Sequence, residues 1–466
     1  MSARRGAKKG RPAARVPDKG RRAAAAGPPP AGDSPARRPG TSHKFAPAGG
    51  MTTRGFVLFL AALFLLMGLF AQHRLGSPLG THARKYFRAD RMNQNIDTTV
   101  WVWTGFMLPA NAPAVRAMRP LYPAVLMLGT LTGAIPVDRA TLRATPPGGD
   151  PYIPEATTLI GIRWLIGWNI VLAVAGLWSF FVLARWYGLP QAASVCATLA
   201  ASSGWGFSFM VAQAIPEVFT NAAITLTLAA CGAAVGASAP GTSPRRRVAA
   251  GLALGLAVGT LVLGKEIYNA LLVSGIILVA NRRYVAAAAF AAAAAVPTLA
   301  WNYYIVKVVG AYDPAAYFRQ YGFGVWILQL IRVPPGEALR LVSDNLGRQS
   351  HAFAYAFPWP VLAAAAAGVL TRRFTRPGVG LYAAALVFST AALMFVSNFV
   401  MPRLWFMAWP AVYLFAWAAV ENAGAWLDGR LTPTHRGKGL WAARGGALCA
   451  AAVYAWSDPY GWVQWG

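Results

Sequence analysis

Long apolar blocks, parted by short polar turns, set the pattern of this chain from residue 54 onward. The first block, 54–72, contains FVLFLAALFLLMGLF without a charge. Further blocks fall near 157–184, 189–204, 215–237, 248–264, 267–281, 284–306, 351–370, 378–398, 403–421 and 440–456. About 20 apolar residues cross the hydrocarbon core of a bilayer as a helix. A helix also bonds its own N–H and C=O groups where no water can reach them. The ten-residue alternation of a membrane-spanning strand is absent. The pattern therefore predicts an all-α, polytopic transmembrane helical protein of about eleven spans. One apolar stretch, 120–136, is interrupted by Pro120, Pro123 and Pro136, and predicts an interfacial or re-entrant segment rather than a crossing.

Composition agrees with this reading. Hydrophobic residues make up 56% of the 466 positions and charged ones 12%, about half the charged share of a soluble domain. A net charge of +28 raises nucleic acid as a partner, but the charge is badly placed for one. Residues 1–50 hold twelve Lys and Arg against Asp18 and Asp33, in an Ala-, Pro- and Gly-rich stretch with little to bury. That predicts a disordered basic cytoplasmic tail touching anionic lipid, with no nucleic-acid module, ahead of a polytopic domain over 51–466. The short loops divide by charge. Arg185, Arg245 to Arg247, Arg282, Arg283, Arg372, Arg373, Arg376, Arg430, Arg436 and Lys438 fall on one side, and the turns near 205–214 and 398–402 have no Lys or Arg. The positive-inside rule then puts the N-terminus in the cytoplasm and the two long segments, 73–156 and 307–350, outside. An Ala/Gly/Pro/Arg-rich chain with Cys196, Cys231 and Cys449 each in an apolar block suggests a bacterial inner membrane and cysteines buried as small hydrophobes.

Acidic residues number fifteen, so those at the outer membrane edge carry the candidate chemistry. Asp90 and Asp97 lie in FRADRMNQNIDTTVWVWTGFMLP, followed by Trp101, Trp103 and the run Arg119-Pro120-Leu121-Tyr122-Pro123. Pro216-Glu217 opens a later block, Gly264-Lys265-Glu266 marks an outer turn, and Pro402-Arg403-Leu404 precedes a late span. In this order the chain resembles the GT-C superfamily of polytopic glycosyltransferases, across roughly 54–420. The resemblance implies an inverting transfer of a sugar from a polyprenyl-phosphate carrier, a lipid-linked donor held in the membrane, to a glycan, lipid or protein acceptor outside. Asp97, with Asp90 as the alternative, becomes the catalytic carboxylate, while Arg119, Tyr122, Glu217, Lys265, Glu266 and Arg403 become substrate-binding residues. The chemistry is coherent by itself. A carboxylate accepts the acceptor's proton or holds a divalent metal that activates it. Cations and helix N-termini stabilise charge building on a leaving phosphate.

Each candidate also has a plainer reading. Asp97 is placed to cap a helix before Thr98, and Asp90 to pair with Arg88 or Arg91. Arg119-Pro120 marks a helix start, and Glu217 complements a helix N-terminus by charge. Lys265 and Glu266 are placed to neutralise each other, and Arg403 to snorkel to the interface. The stretch GEALRLVSDNLGRQ, with Ala338, Leu339, Leu341, Val342 and Leu346 as its apolar pattern, predicts an amphipathic helix on the outer surface, with Arg348 and His351 at its end. A transporter or lipid flippase, and a non-catalytic assembly subunit, are the rival functions.

Overall fold

The computed structural model describes residues 51–76, 120–137, 155–212, 217–264, 269–309, 325–370, 385, 389 and 402–456. All regular structure among these residues is helical. In chain order the helices are α1 (Thr53–Gly76), α2 (Leu121–Leu131), α3 (Glu155–Tyr187), α4 (Gln191–Ser202), α5 (Trp205–Ser208), α6 (Glu217–Ala237), α7 (Pro244–Val262), α8 (Asn269–Leu272), α9 (Ile276–Ala280), α10 (Tyr284–Tyr303), α11 (Val325–Arg332), α12 (Pro335–Ala356), α13 (Trp359–Leu370), α14 (Pro402–Trp405), α15 (Trp409–Arg430) and α16 (Lys438–Trp456). Among the described residues four stretches, in α1, α3, α6 and α10 with its continuation, are long and apolar enough to cross a membrane, or up to 6 if two bent pairs each count as one crossing. The expected tail over 1–50 and span over 378–398 lie outside the described residues, apart from 385 and 389.

Shared levels along the bundle follow from its side-chain pairings. Gly176 on α3 abuts Ala222 on α6, and the Thr225 hydroxyl donates to the Gly176 carbonyl at 2.9 Å. Further along α3, Phe180 meets Trp409 and Tyr187 meets Phe415. Helices α3 and α15 therefore run in one direction, and the bond from Trp409 to the Asn221 carbonyl puts the starts of α15 and α6 at one end of the bundle. A second close pair joins α7 and α10. Gly251, Gly255 and Gly259 recur every four residues on one face of α7, and a methyl on any of them would meet the carbonyl oxygens of Ala286, Phe290 or Ala294. Small residues at this spacing let two backbones touch, which matters in lipid because packing, not water exclusion, holds spans together.

Several sequence expectations hold closely and others are corrected. Helix α2 has 11 residues, about 16 Å of rise, too short to cross, as the prolines of 120–136 implied. Trp164 on α3 donates to the Val125 carbonyl at 2.7 Å and seats α2 on α3. The block at 267–281 is not one unbroken α-helix over its described residues: α8 and α9 are joined by a 3-10 turn, Val273–Gly275. The block at 351–370 is divided differently, because α12 runs on to Ala356 and turns by 100° into α13. Pro358 and Pro360 at the corner cannot donate to a continuing helix. The block at 403–421 likewise breaks at 406–408 and then runs nine residues past its expected end, to Arg430. Cys196 and Cys231 are buried as expected, whereas Cys449 on α16 is exposed.

On α12 the apolar residues of the expected amphipathic pattern face out of the protein. Leu339 is 71% exposed and Leu346 49%, while Asn345, Gln349, Ala352 and Ala356 form the buried face. A helix at a membrane surface has two partners, and here the leucines are left for the surroundings while amides meet the protein.

The α7 stripe yields a direct test. Gly255→Leu, which must push the α10 backbone away, is expected to cost about 1–3 kcal/mol, read as a fall in the thermal unfolding midpoint. Ala257→Leu on the exposed face of α7 should leave the midpoint unchanged.

Candidate functional site

Three helix breaks meet in one place. Helix α4 stops at Ser203–Gly204 and resumes as α5 at an angle of 58°. Helix α12 turns into α13 at Phe357–Pro358, and α14 gives way to α15 through the 3-10 turn Phe406–Ala408. A Cβ on Gly206 would occupy the ring of Phe406, and one on Gly204 would meet the Tyr413 hydroxyl, so only glycine lets the first and third breaks touch. Around them the rings interlock. Phe357 stacks on Phe406 at 5.4 Å, Phe353 meets Trp405 edge-on at 5.1 Å, and Phe207 meets Trp409 at 4.9 Å.

The breaks free backbone groups, and side chains take them up. Asn221 Nδ2 donates to the Gly206 carbonyl at 2.8 Å, and Trp409 Nε1 donates to the Asn221 carbonyl at 3.2 Å. The Ser208 hydroxyl reaches the Ser203 and Gly204 carbonyls. On the other side, Trp405 Nε1 donates to Gln349 Oε1 at 2.9 Å. Two expected site residues sit on these pinned elements. Glu217 begins α6, one turn before Asn221, and Arg403 lies in α14, two residues before Trp405. The bond from Trp409 to Asn221 ties α15 to the first turns of α6, so the starts carrying Arg403 and Glu217 lie at the same end of the bundle. Tyr122 lies in the first turn of α2, behind Pro120. Asp90, Asp97, Arg119, Lys265 and Glu266 lie outside the described residues. Among the described residues no group of three or more His, Cys, Asp or Glu could hold a metal ion.

No protein-family model matches the chain, and no curated protein matches it in sequence. A solved structure does resemble it. It is the crystal structure of ArnT from Cupriavidus metallidurans bound to undecaprenyl phosphate, 16% identical, with a TM-score of 0.47, over 87% of this chain and 75% of that one. A likeness this remote leaves the chemistry to be read from this chain's own residues.

Two features escaped the sequence pattern. The first is an ion pair inside the helical hairpin α15–α16. Arg444 Nε and Nη2 donate to the two oxygens of Glu421 at 2.8 and 2.7 Å, with the side chains 5% and 15% exposed. Trp417 Nε1 also donates to Glu421 at 3.1 Å. One turn from the hairpin's loop, Asp428 Oδ1 accepts from the backbone N–H groups of Gly437, Gly439 and Leu440, and so caps α16 from the neighbouring helix. Glu421 had stood at the expected end of its span, and Arg444 near the start of its own, so nothing in their spacing paired them. The second is the amide chain of α12, Asn345 and Gln349, which no sequence motif singles out. A cavity of about 240 Å³ lies beside the hairpin, lined by Ser203, Pro358, Tyr413, Trp417, Ala447 and Tyr454 among others. Among the described residues its lining carries no charged side chain.

Breaking the pair from one side is expected to be costly. Arg444→Met leaves a buried carboxylate unpaired and should destabilise by about 3–5 kcal/mol, whereas Glu421→Met combined with Arg444→Met should recover most of the loss. Thermal unfolding of the purified single and double variants measures the difference.

Proposed function

We propose that this chain is a membrane glycosyltransferase that moves a sugar from a polyprenyl-phosphate carrier to an outward-facing glycan, lipid or protein. The observation that supports the reading is that the starts of α6 and α14, which carry Glu217 and Arg403, lie at one end of the bundle beside the aromatic and amide contacts of the helix breaks. A carrier lipid keeps its tail in the bilayer, so its phosphate must be met at the membrane edge by cations. Arg403, with Lys265, is suited to that contact. Asp97 serves as the base that takes the acceptor's proton, with Asp90 as the alternative, and Arg119, Tyr122 and Glu266 complete the substrate contacts. A divalent metal, if one takes part, would be held by the same outer-loop carboxylates. The transporter reading would need an intramembrane charge facing a pathway, and here Glu421 and Arg444 neutralise each other.

Topology underlies each of these roles. With 73–156 and 307–350 outside, reporter fusions active only in the periplasm should read on after Gly149, on after Gly322 and off after Thr375. The opposite reading at Gly149 and Thr375 would move Asp97 to the cytoplasm. Lys265→Met and Arg403→Met should each weaken carrier binding by about one to two decades, the worth of a charge-assisted hydrogen bond, with protein levels unchanged.

The catalytic assignment rests on one substitution. Asn caps a helix about as well as Asp but cannot take a proton, so Asp97→Asn should preserve protein level and lower transfer by about 10²–10⁴, while Asp90→Asn retains activity. Glycan transfer in membranes, normalised to protein, measures both. Full activity in the two variants together would remove the base from this loop and the glycosyltransferase reading with it.

A further inference from the structure

The amides of α12 form a chain whose direction is fixed. An indole N–H only donates, so the bond from Trp405 requires Gln349 to present Oε1 to it. The Nε2 of Gln349 then faces Asn345 and donates to its Oδ1 at 3.5 Å. That turns Asn345 Nδ2 away from Gln349. Asn345 is only 3% exposed, and its Nδ2 is buried with no hydrogen-bond partner among the described residues. A buried donor left unmet is destabilising, and an unmet one at the end of a directed chain is arranged to meet something.

Its position says what. Contacts along α12 run in register with the α14–α15 break: Phe357 meets Tyr413 and Phe406, and Phe353 and Gln349 both meet Trp405. One turn further back, about 6 Å, Asn345 comes level with the start of α14, where Arg403 lies. The same face carries Phe353 and is walled by Trp405. A neutral donor on a face that also carries Phe353 and meets Trp405 one turn away suits a neutral oxygen, whereas the charged oxygens of a phosphate call for a cation.

The geometry points to Asn345 as a sugar-recognition residue: its Nδ2 donates to a hydroxyl or ring oxygen of the carrier-linked sugar, with Gln349 and Trp405 fixing the amide's orientation. The assignment rests on the glycosyltransferase reading and deepens it, because it names the group that separates a loaded carrier from an empty one. Nothing reacts at Asn345. The residue binds and orients.

The test uses the full chain in nanodiscs with two kinds of probe, bare undecaprenyl phosphate and undecaprenyl phosphate bearing a hexose or a pentose. Asn345→Leu should weaken binding of at least one sugar-bearing carrier by about tenfold and leave the bare carrier unaffected, whereas Arg403→Met should weaken both. Without ligand, Asn345→Leu removes one unmet donor and also the acceptor of Gln349 Nε2, so the unfolding midpoint should stay close to that of the wild type. Equal losses for loaded and bare carriers, no loss for any loaded carrier, or failure to fold would each overturn the assignment. A wild-type protein that binds neither kind of carrier would overturn the glycosyltransferase reading itself, whereas a wild type that binds both without discrimination by Asn345→Leu removes only this inference.

Discussion

In hydrocarbon a helix can be interrupted only where the freed N–H and C=O groups find partners inside the protein, and that requirement organises this molecule. Three breaks, at Ser203–Gly204, Phe357–Pro358 and Phe406–Ala408, would each be unfavourable against lipid. Buried against one another, they share donors: Asn221 serves the Gly206 carbonyl, Trp409 serves Asn221, and Trp405 joins Gln349. Glycine at 204 and 206 allows the approach, and aromatic rings fill the volume the missing side chains leave. A non-helical, polar-lined region thus forms within the bundle, at the end where α6 and α15 begin. Helices that ran unbroken would present only apolar flanks there.

The remainder of the bundle holds that junction in place by two different means. Helices α7 and α10 approach through the glycine stripe, which gains dispersion contacts over a long seam without any polar group. Helices α15 and α16 are locked by charge, through Glu421 with Arg444 and through Asp428 on the first turn of α16. Such a pair adds little net stability over an apolar equivalent, but it tolerates one register only. Because α15 continues directly from the Phe406–Ala408 turn, fixing its register against α16 also fixes Trp409 and the elements that carry Arg403. The stability of the hairpin and the geometry of the candidate site are linked in this way.

Much of the architecture was legible in the residue pattern. Blocks of about 20 apolar residues gave α1, α3, α6, α7, α10 and α16 within a few residues of their ends, since a helix is the only cheap state for such a block in lipid. The prolines of 120–136 correctly marked a helix too short to cross, for the same local reason. The order of Asp97, Arg119-Pro120, Glu217, Lys265 and Arg403 along the chain suggested a chemistry, and local signals sufficed to put Glu217 and Arg403 at helix starts.

What the pattern could not supply was pairing between distant segments. Glu421 and Arg444 look like ordinary interface charges until α15 is seen to run to Arg430 and fold back against α16. Asn345 and Gln349 belong to the polar side of an amphipathic helix by any periodicity, and a period cannot say whether that side faces water or protein. Leu339 and Leu346 share the opposite face, which is turned away from the protein. Hydrophobicity along one helix identifies which residues share a face, and it does so from sequence alone. Which face meets the protein depends on hydrogen-bond partners brought from more than fifty residues away, as with Gln349 and Trp405, and those partners exist only once the chain has folded.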